Sequence, residues 1–355
     1  MRLLVINFQM DLSSPVLAWQ SRVVEKLALE CEKVVVLTSQ LGRVPKMDRV
    51  KIHLFPRRPY GIPYRFGARW LLNFWVHSLC RKERIQGVFI HMAAEWSYLL
   101  FPCFRWLHLP VIVWYAHGTV SSRLRWAIRC VDRVVTSTPE GCRVTSSKIR
   151  IIGQGVDTDL FSIPVERNLK DILYVGRISR RKRIHLLIQV LALLKKRGIA
   201  NDSSLHLVGP ILTSDDQVYE RELISQIHDL GLETSVHFHG SKTVDEIPPF
   251  YTQSFLHLSL SETGSMDKTV LEALACGCPA LTTNTAFREF LSSFPDFWMA
   301  DASAEAVARQ VEFIYQRRLK YDPNALREIV NREHSLSTYG HRVLSQFNEL
   351  GHHGR

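Results

Sequence analysis

The chain reads as an α/β protein built from parallel-sheet units. Three observations predict this. Short apolar runs rich in β-branched residues alternate with helix-length amphipathic segments from one end to the other. The 355 residues, 46% of them hydrophobic, suffice for two domains with separate cores and are too apolar for a disordered chain. Finally, residues 255–283 set a strand, a polar loop containing a glycine, and a helix in the order that makes a ligand site in such sheets.

In chain order, Leu3–Asn7 is an apolar strand, Val23–Cys31 an amphipathic helix, and Lys33–Thr38 a β-branched strand. Strand, helix and strand of these lengths imply a right-handed parallel unit. Phe8–Pro15 is the turn between the first two, at the mouth of a ligand cleft. The first residues lack the apolar core of a secretory signal, so a cytosolic chain with reduced thiols is expected for the seven cysteines.

Residues 56–84 alternate aromatic and aliphatic side chains with Arg57, Arg58, Arg65, Arg69 and Arg81. That pattern suits a segment lying on an anionic membrane, peripheral at its inner face, or a core helix with basic ends. The stretch from Trp96 to Tyr115 is broken by Pro102, Arg105, His108 and Pro110, so it predicts helix, turn and strand rather than a membrane span. The strand from Pro110 to Tyr115 leads to His117, just past its carboxyl end, where side chains meet the crevice of an open α/β sheet. A helix containing Ala127 and Ile128 and a strand from Arg133 follow. Asp157 and Asp159 are read as turn-makers and caps, not as metal ligands.

Charge is uneven. Residues 1–163 carry 23 Lys+Arg against 11 Asp+Glu, net +12, and the remainder carries 22 against 23, net −1. The first half therefore expects an anionic partner: a membrane surface, a lipid-linked phosphate or nucleic acid.

In the second half, Asp171–Gly176 is a strand whose loop, carrying Arg177 and Lys182, enters a helix over Leu186–Lys196. Two cations at a strand's carboxyl end can neutralise a diphosphate. Strands follow at Leu205–Pro210 and Val236–Gly240, with His237 and His239 read as strand residues. Phe255–Leu260 is then a buried strand and Val270–Ala275 a helix stopped by Gly277. The amides near Gly264 and Ser265, with the helix dipole, make a phosphate site. Lys268 adds a mobile cation. Glu272, placed in the first helical turn, could accept from two ribose hydroxyls. The plainer alternative is that Glu272 favours the helix start and Lys268 is a solvated charge. Cys276 and Cys278 read as small core fillers with the wrong spacing for zinc. Ser335–Leu350 is a final helix.

The segment Leu271-Glu272-Ala273-Leu274-Ala275-Cys276-Gly277-Cys278-Pro279 resembles the nucleotide-sugar-binding segment of glycosyltransferase family 4. Gly176-Arg177-Ile178, with Lys182 in register, resembles that family's Gly-Arg-Leu-x-x-x-Lys-Gly signature, Arg183 standing for its glycine. The likeness covers roughly residues 110–340. It implies a GT-B fold, two Rossmann-like doubly wound domains facing across a cleft. The first, over 1–163, would bind the acceptor. The second, over 164–334, would bind the donor, and a helix over about 335–355 would return to the first. It further implies a retaining, metal-independent, hexosyltransferase-type enzyme without cofactor, moving sugar from a nucleotide diphosphate sugar to a glycan or lipid-linked acceptor in bacterial surface polysaccharide synthesis. Arg177 and Lys182 would stabilise the leaving diphosphate, Glu272 would hold the ribose and His117 would orient the sugar.

Two departures stand out. No glycine pair occupies the turn at 8–15. The family's first glutamate, eight residues before its second, falls on Gly264, leaving Glu262 or Asp267 as the nearest carboxylates. A nucleotide-sugar epimerase of the same architecture, or a basic protein binding nucleic acid or membrane, stays open as an alternative. Against nucleic acid, the charge lies on one half only and no recognised binding module is present.

Overall fold

The computed structural model describes residues 1–44, 46–55, 66–164, 169–261 and 265–352, the side chains of 66–68 and 352 apart. The chain forms two compact units: Met1–Gly155 joined by the chain from Leu336 onward, and Val156–Ser335.

In the first unit, β1 (Arg2–Met10), β2 (Lys33–Leu41), β3 (Val50–Leu54), β4 (Gly87–His91), β5 (Val111–Trp114), β6 (Arg133–Thr136) and β7 (Ile149–Ile151) make a parallel sheet. Its order is β3-β2-β1-β4-β5-β6-β7. The helices are α1 (Ala18–Glu30), α2 (Phe66–Lys82), α3 (Glu95–Leu99), α4 (Phe101–Trp106) and α5 (Ser122–Cys130). The inner strands are buried on both faces, which is why they read as unbroken apolar runs.

Two boundaries correct the sequence reading. β1 continues to Met10 because Gln9 and Met10 pair with Gln40 and Leu41, so Phe8–Met10 is strand and the turn starts at Asp11. The Asp11 carboxylate then closes that turn, accepting the amides of Ser13 (2.9 Å) and Arg43 (3.0 Å). α1 starts at Ala18, ahead of Val23, burying Ala18 and Ser21 as well. Of the basic segment at 56–84, residues 56–65, with Arg57, Arg58 and Arg65, lie outside the described residues, and the rest is α2. Glu83, just past α2, is buried between Lys33 (2.6 Å) and Lys51 (2.8 Å), whose hydrogen bonds hold its carboxyl down at about 2.

The second unit contains β8 (Asp171–Val175), α6 (Ile184–Lys196), β9 (Leu205–Val208), α7 (Ser214–Asp229), β10 (Val236–Gly240) and α8 (Pro248–Thr252). It continues with β11 (Ser254–Ser259), α9 (Lys268–Ala275), β12 (Ala280–Thr282), α10 (Ala304–Arg317) and α11 (Pro323–His334). The sheet is parallel, in the order β10-β9-β8-β11-β12. The strand order reverses between β8 and β11, so their carboxyl-end loops part to opposite sides and leave a crevice. α9 ends where Gly277 takes φ 69; the amides of Gly277 and Cys278 return to the carbonyls of Leu274 and Ala273, each at 2.9 Å. Cys276 and Cys278 are fully buried in this core. At the linker, Asp157 Oδ1 accepts the amides of Asp159 and Leu160, both at 3.3 Å, and makes a turn.

α12 (Leu336–His352) belongs to the first unit. Its Leu336, Tyr339, Val343 and Phe347 enter one core with Val23, Leu27 and the strands. A Cβ on Gly87 would lie 2.8 Å from the Phe347 ring, so only glycine lets β4 meet this helix. Arg133, buried, donates to Gln346 (2.7 Å) and Glu349 (2.5 Å).

Candidate functional site

The loops after β8 and β11 carry the second-unit residues singled out in the sequence. Gly176 follows β8 at φ 149, and its carbonyl oxygen would lie 1.9 Å from a Cβ on Gly209, the residue after β9. Two glycines thus let adjacent strand ends cross. The buried Tyr174 hydroxyl donates to the Arg177 carbonyl at 2.9 Å and fixes the loop from below.

The Arg177 guanidinium is aimed by a residue the sequence reading missed. Its Nε lies 2.8 Å and its Nη2 2.7 Å from Asp216 Oδ2, and Nη2 also donates to Thr213 Oγ1 at 3.2 Å. Asp216 is buried in the first turn of α7, where it and Thr213 form a capping box. Burial pushes its carboxyl up; Arg177, the amides of Leu212 and Thr213 and the Thr213 hydroxyl outweigh this, and the net shift is downward. The Thr213-Ser214-Asp215-Asp216 spacing was the available signal.

Lys182 Nζ lies 2.9 Å from Asp267 Oδ1. The other oxygen of Asp267 accepts from the hydroxyls of Ser261 and Ser259. Asp267 is the N-cap residue of α9, yet its side chain makes no capping bond. An uncapped helix start beside a lysine is a place for an anion. The sequence offered Asp267 as a sugar-side carboxylate; here both its oxygens are engaged within the protein.

α9 starts at Lys268, two positions before Val270, which moves Glu272 out of the first turn and corrects that placement. Glu272 faces Tyr251, whose buried hydroxyl lies 3.3 Å from Oε2 and 3.0 Å from the Thr269 carbonyl. Burial pushes the Glu272 carboxyl up to about 7, against the opposing pull of Lys268 and the Tyr251 hydrogen bond. At Lys268, burial drives the ammonium well below the ordinary lysine value, with the charge of Glu272, four positions on, opposing.

Ser265 is held by a second missed residue. Asn284, buried after β12, donates Nδ2 to the Ser265 carbonyl at 2.7 Å while its Oδ1 accepts the Ala286 amide at 3.0 Å. Gly264 and Glu262 lie outside the described residues. His117 sits in the first unit, after β5, exposed, its amide donating to the Gly141 carbonyl at 2.8 Å. The structure therefore places Arg177, Lys182, Ser265 and Asp267 on the loops after β8 and β11, Lys268 and Glu272 on α9 of the same unit, and His117 on the other unit. His237 and His239 are strand residues; His239 Nε2 meets His206 Nδ1 at 2.8 Å. Among the described residues no group of three or more His, Cys, Asp or Glu is placed to hold a metal ion.

The chain is similar to known proteins in sequence and in fold. The family "Glycosyl transferases group 1" matches residues 156–330, and "Glycosyltransferase Family 4" matches residues 22–160. A putative colanic acid biosynthesis glycosyltransferase, WcaL of Escherichia coli K12, is 25% identical over 52% of this chain and 45% of its own. A D-inositol 3-phosphate glycosyltransferase of Corynebacterium jeikeium is 26% identical over 43% and 40%. The matched region thus spans less than half the length of these relatives. Among solved structures, Anabaena Alr3699/HepE in complex with UDP and glucose superposes with a TM-score of 0.76 at 15% identity, over 98% of this chain and 99% of that one. Sucrose-phosphate synthase from Thermosynechococcus elongatus gives 0.75 at 16%, over 99% and 100%. These two likenesses are of fold. Two matched families that together run from residue 22 to residue 330, on two parallel-sheet α/β units, place the chain in glycosyltransferase family 4, with the GT-B fold.

Proposed function

We propose that the protein transfers a hexosyl group from a nucleoside diphosphate sugar to a glycan or lipid-linked acceptor, with retention at the anomeric carbon and without a metal, in bacterial surface polysaccharide synthesis. The acceptor hydroxyl bonds to the anomeric carbon as the bond from that carbon to the diphosphate oxygen breaks, and the departing phosphate oxygen takes the hydroxyl proton. Arg177 and Lys182 neutralise the departing diphosphate, aided by the amides at Ser265 and the start of α9. Glu272 accepts from the ribose, and His117 orients the sugar. The acceptor is met at an anionic membrane surface, where the chain is peripheral.

The observation behind this is that the loop after β8, at the strand-order reversal between β8 and β11, carries both Arg177 and Lys182, and that Lys182 reaches the N-cap residue of α9. The WcaL relative points to polysaccharide chemistry, and HepE, solved with UDP and glucose, makes uridine the first base to try. Calorimetric titration with uridine and guanosine diphosphates tests it, on wild type, Lys182→Ala and Glu272→Ala. Binding of one base in wild type, weakened at least about tenfold in each variant, is expected. Full binding in both variants would overturn the residue roles.

A further inference from the structure

We infer that the outer surface of α2, α4 and α5 in the first unit is the face that docks on an anionic lipid bilayer. This rests on the acceptor being met at a membrane, and it is independent of the donor chemistry.

These helices cover one side of the first sheet. Leu72 and Val76 of α2, Phe104 of α4, and Leu124 and Ile128 of α5 share a core with Val88 and Val113 of the strands. Their opposite sides face solvent with large apolar groups: Leu71 and Phe74 are each 72% exposed, Trp106 73%, Trp70 59% and Trp126 56%. The His77 and Trp106 rings, 5.0 Å apart, join α2 to α4. Arg129 lies over Trp126 at 5.1 Å.

Charge on these three helices has one sign. α2, α4 and α5 contain no acidic residue. Residues 66–131 hold eight Lys+Arg against Glu83 and Glu95, and Glu83 is buried between two lysines. Arg69 is not part of the surface charge, because its guanidinium caps α3, donating to the carbonyls of Tyr98 (2.8 Å) and Leu99 (3.4 Å). Arg81, Arg105, Arg123, Arg125 and Arg129 are exposed.

Three occupants compete for such a face. A second copy across a two-fold would set the arginines of these helices against arginines, with no acid on the same helices to answer them. Nucleic acid would match the charge and stack on tryptophan, yet it has no use for Leu71 and Phe74. A bilayer with anionic headgroups takes both, since arginines meet phosphate while tryptophan, leucine and phenylalanine enter the headgroup and acyl boundary. No helix among the described residues is long and apolar enough to cross a membrane, so the contact is with the surface.

The test is co-sedimentation of the full chain with phosphatidylcholine vesicles, alone and with 30% phosphatidylglycerol. Three proteins are compared with wild type: Arg105→Glu/Arg123→Glu/Arg125→Glu, Trp70→Ser/Phe74→Ser/Trp106→Ser, and, as control on the second unit, Lys196→Glu/Arg221→Glu/Arg309→Glu. At about fivefold per surface charge, the first variant should lose anionic-vesicle binding by more than tenfold. The second should lose it too, and the control should match wild type. Nucleoside diphosphate titration of each protein reports folding and the donor site separately, so loss of that binding with vesicle binding intact indicts the donor reading alone. Should a triple variant fail to fold, Arg123→Glu and Trp126→Ser are read singly at solvent-facing positions. Equal binding to both vesicle types, variants that bind like wild type, a change of oligomeric state by light scattering, or preference for duplex DNA would each overturn the assignment.

Discussion

Asp267 holds Lys182: Oδ1 lies 2.9 Å from Nζ, and the other carboxylate oxygen is engaged by Ser261 and Ser259. A carboxylate therefore sits where the proposed function puts a phosphate oxygen. The lysine is kept in place, and an incoming diphosphate must compete with Asp267 for it.

Removing that competitor should tighten binding. Asp267→Asn keeps the side-chain size and the bonds from the serines but surrenders the charge. Nucleoside diphosphate affinity by calorimetry is expected to rise about tenfold, roughly 1.4 kcal/mol. A fall in affinity would show instead that the Asp267 carboxylate works on the ligand side, as the sequence alone suggested.

Nucleotide binding should depend on pH through Glu272. Its carboxyl, raised by burial to about 7, is neutral below that value and charged above it. Only the charged form accepts from both ribose hydroxyls. Affinity should thus rise as pH goes from 6 to 8 and level off beyond. Glu272→Gln, which cannot ionise, should keep only the slope belonging to the diphosphate itself. Identical slopes in the two proteins would remove Glu272 from the ribose.

The glycine crossing under Arg177 should be intolerant of any side chain. Gly209→Ala places a Cβ 1.9 Å from the Gly176 carbonyl oxygen at φ 150, and the expected loss is at least about 3 kcal/mol in urea unfolding. Gly198→Ala, at φ 73 with nothing within 4 Å of the added Cβ, is the control for the backbone penalty alone and should cost about 1 kcal/mol. Equal losses would mean the two loops part without difficulty.

Most of the architecture was legible from period and punctuation. Buried parallel strands appear as short β-branched runs, and Gly277 stops α9 because the left-handed turn there favours glycine. The motif residues Arg177, Lys182 and Glu272 could be found because each stands at fixed spacing after a readable strand. Arg183 shows the limit of such matching. It occupies the left-handed conformation at φ 54 where the family signature has glycine, at a cost of about 1 kcal/mol that the sequence alone does not display.

What the chain could not show locally is which groups answer one another. Asp216 lies 39 positions from Arg177, Asp267 lies 85 from Lys182, and Asn284 reaches back 19 to Ser265. Each partner looks like an ordinary cap or turn residue in its own neighbourhood. Likewise, the Arg and aromatic pattern of α2 stood out in the sequence, but Trp106 of α4 and Trp126 of α5 join it only because one sheet puts the three helices on the same side. Periodicity and turn chemistry act over a few residues, so the sequence by itself determined the strands, the helices and the motif positions. Ion pairing, burial and the sharing of a face act through space, so only the tertiary structure decided that Lys182 meets a carboxylate, that Asp216 aims Arg177, and which surface is left apolar and basic.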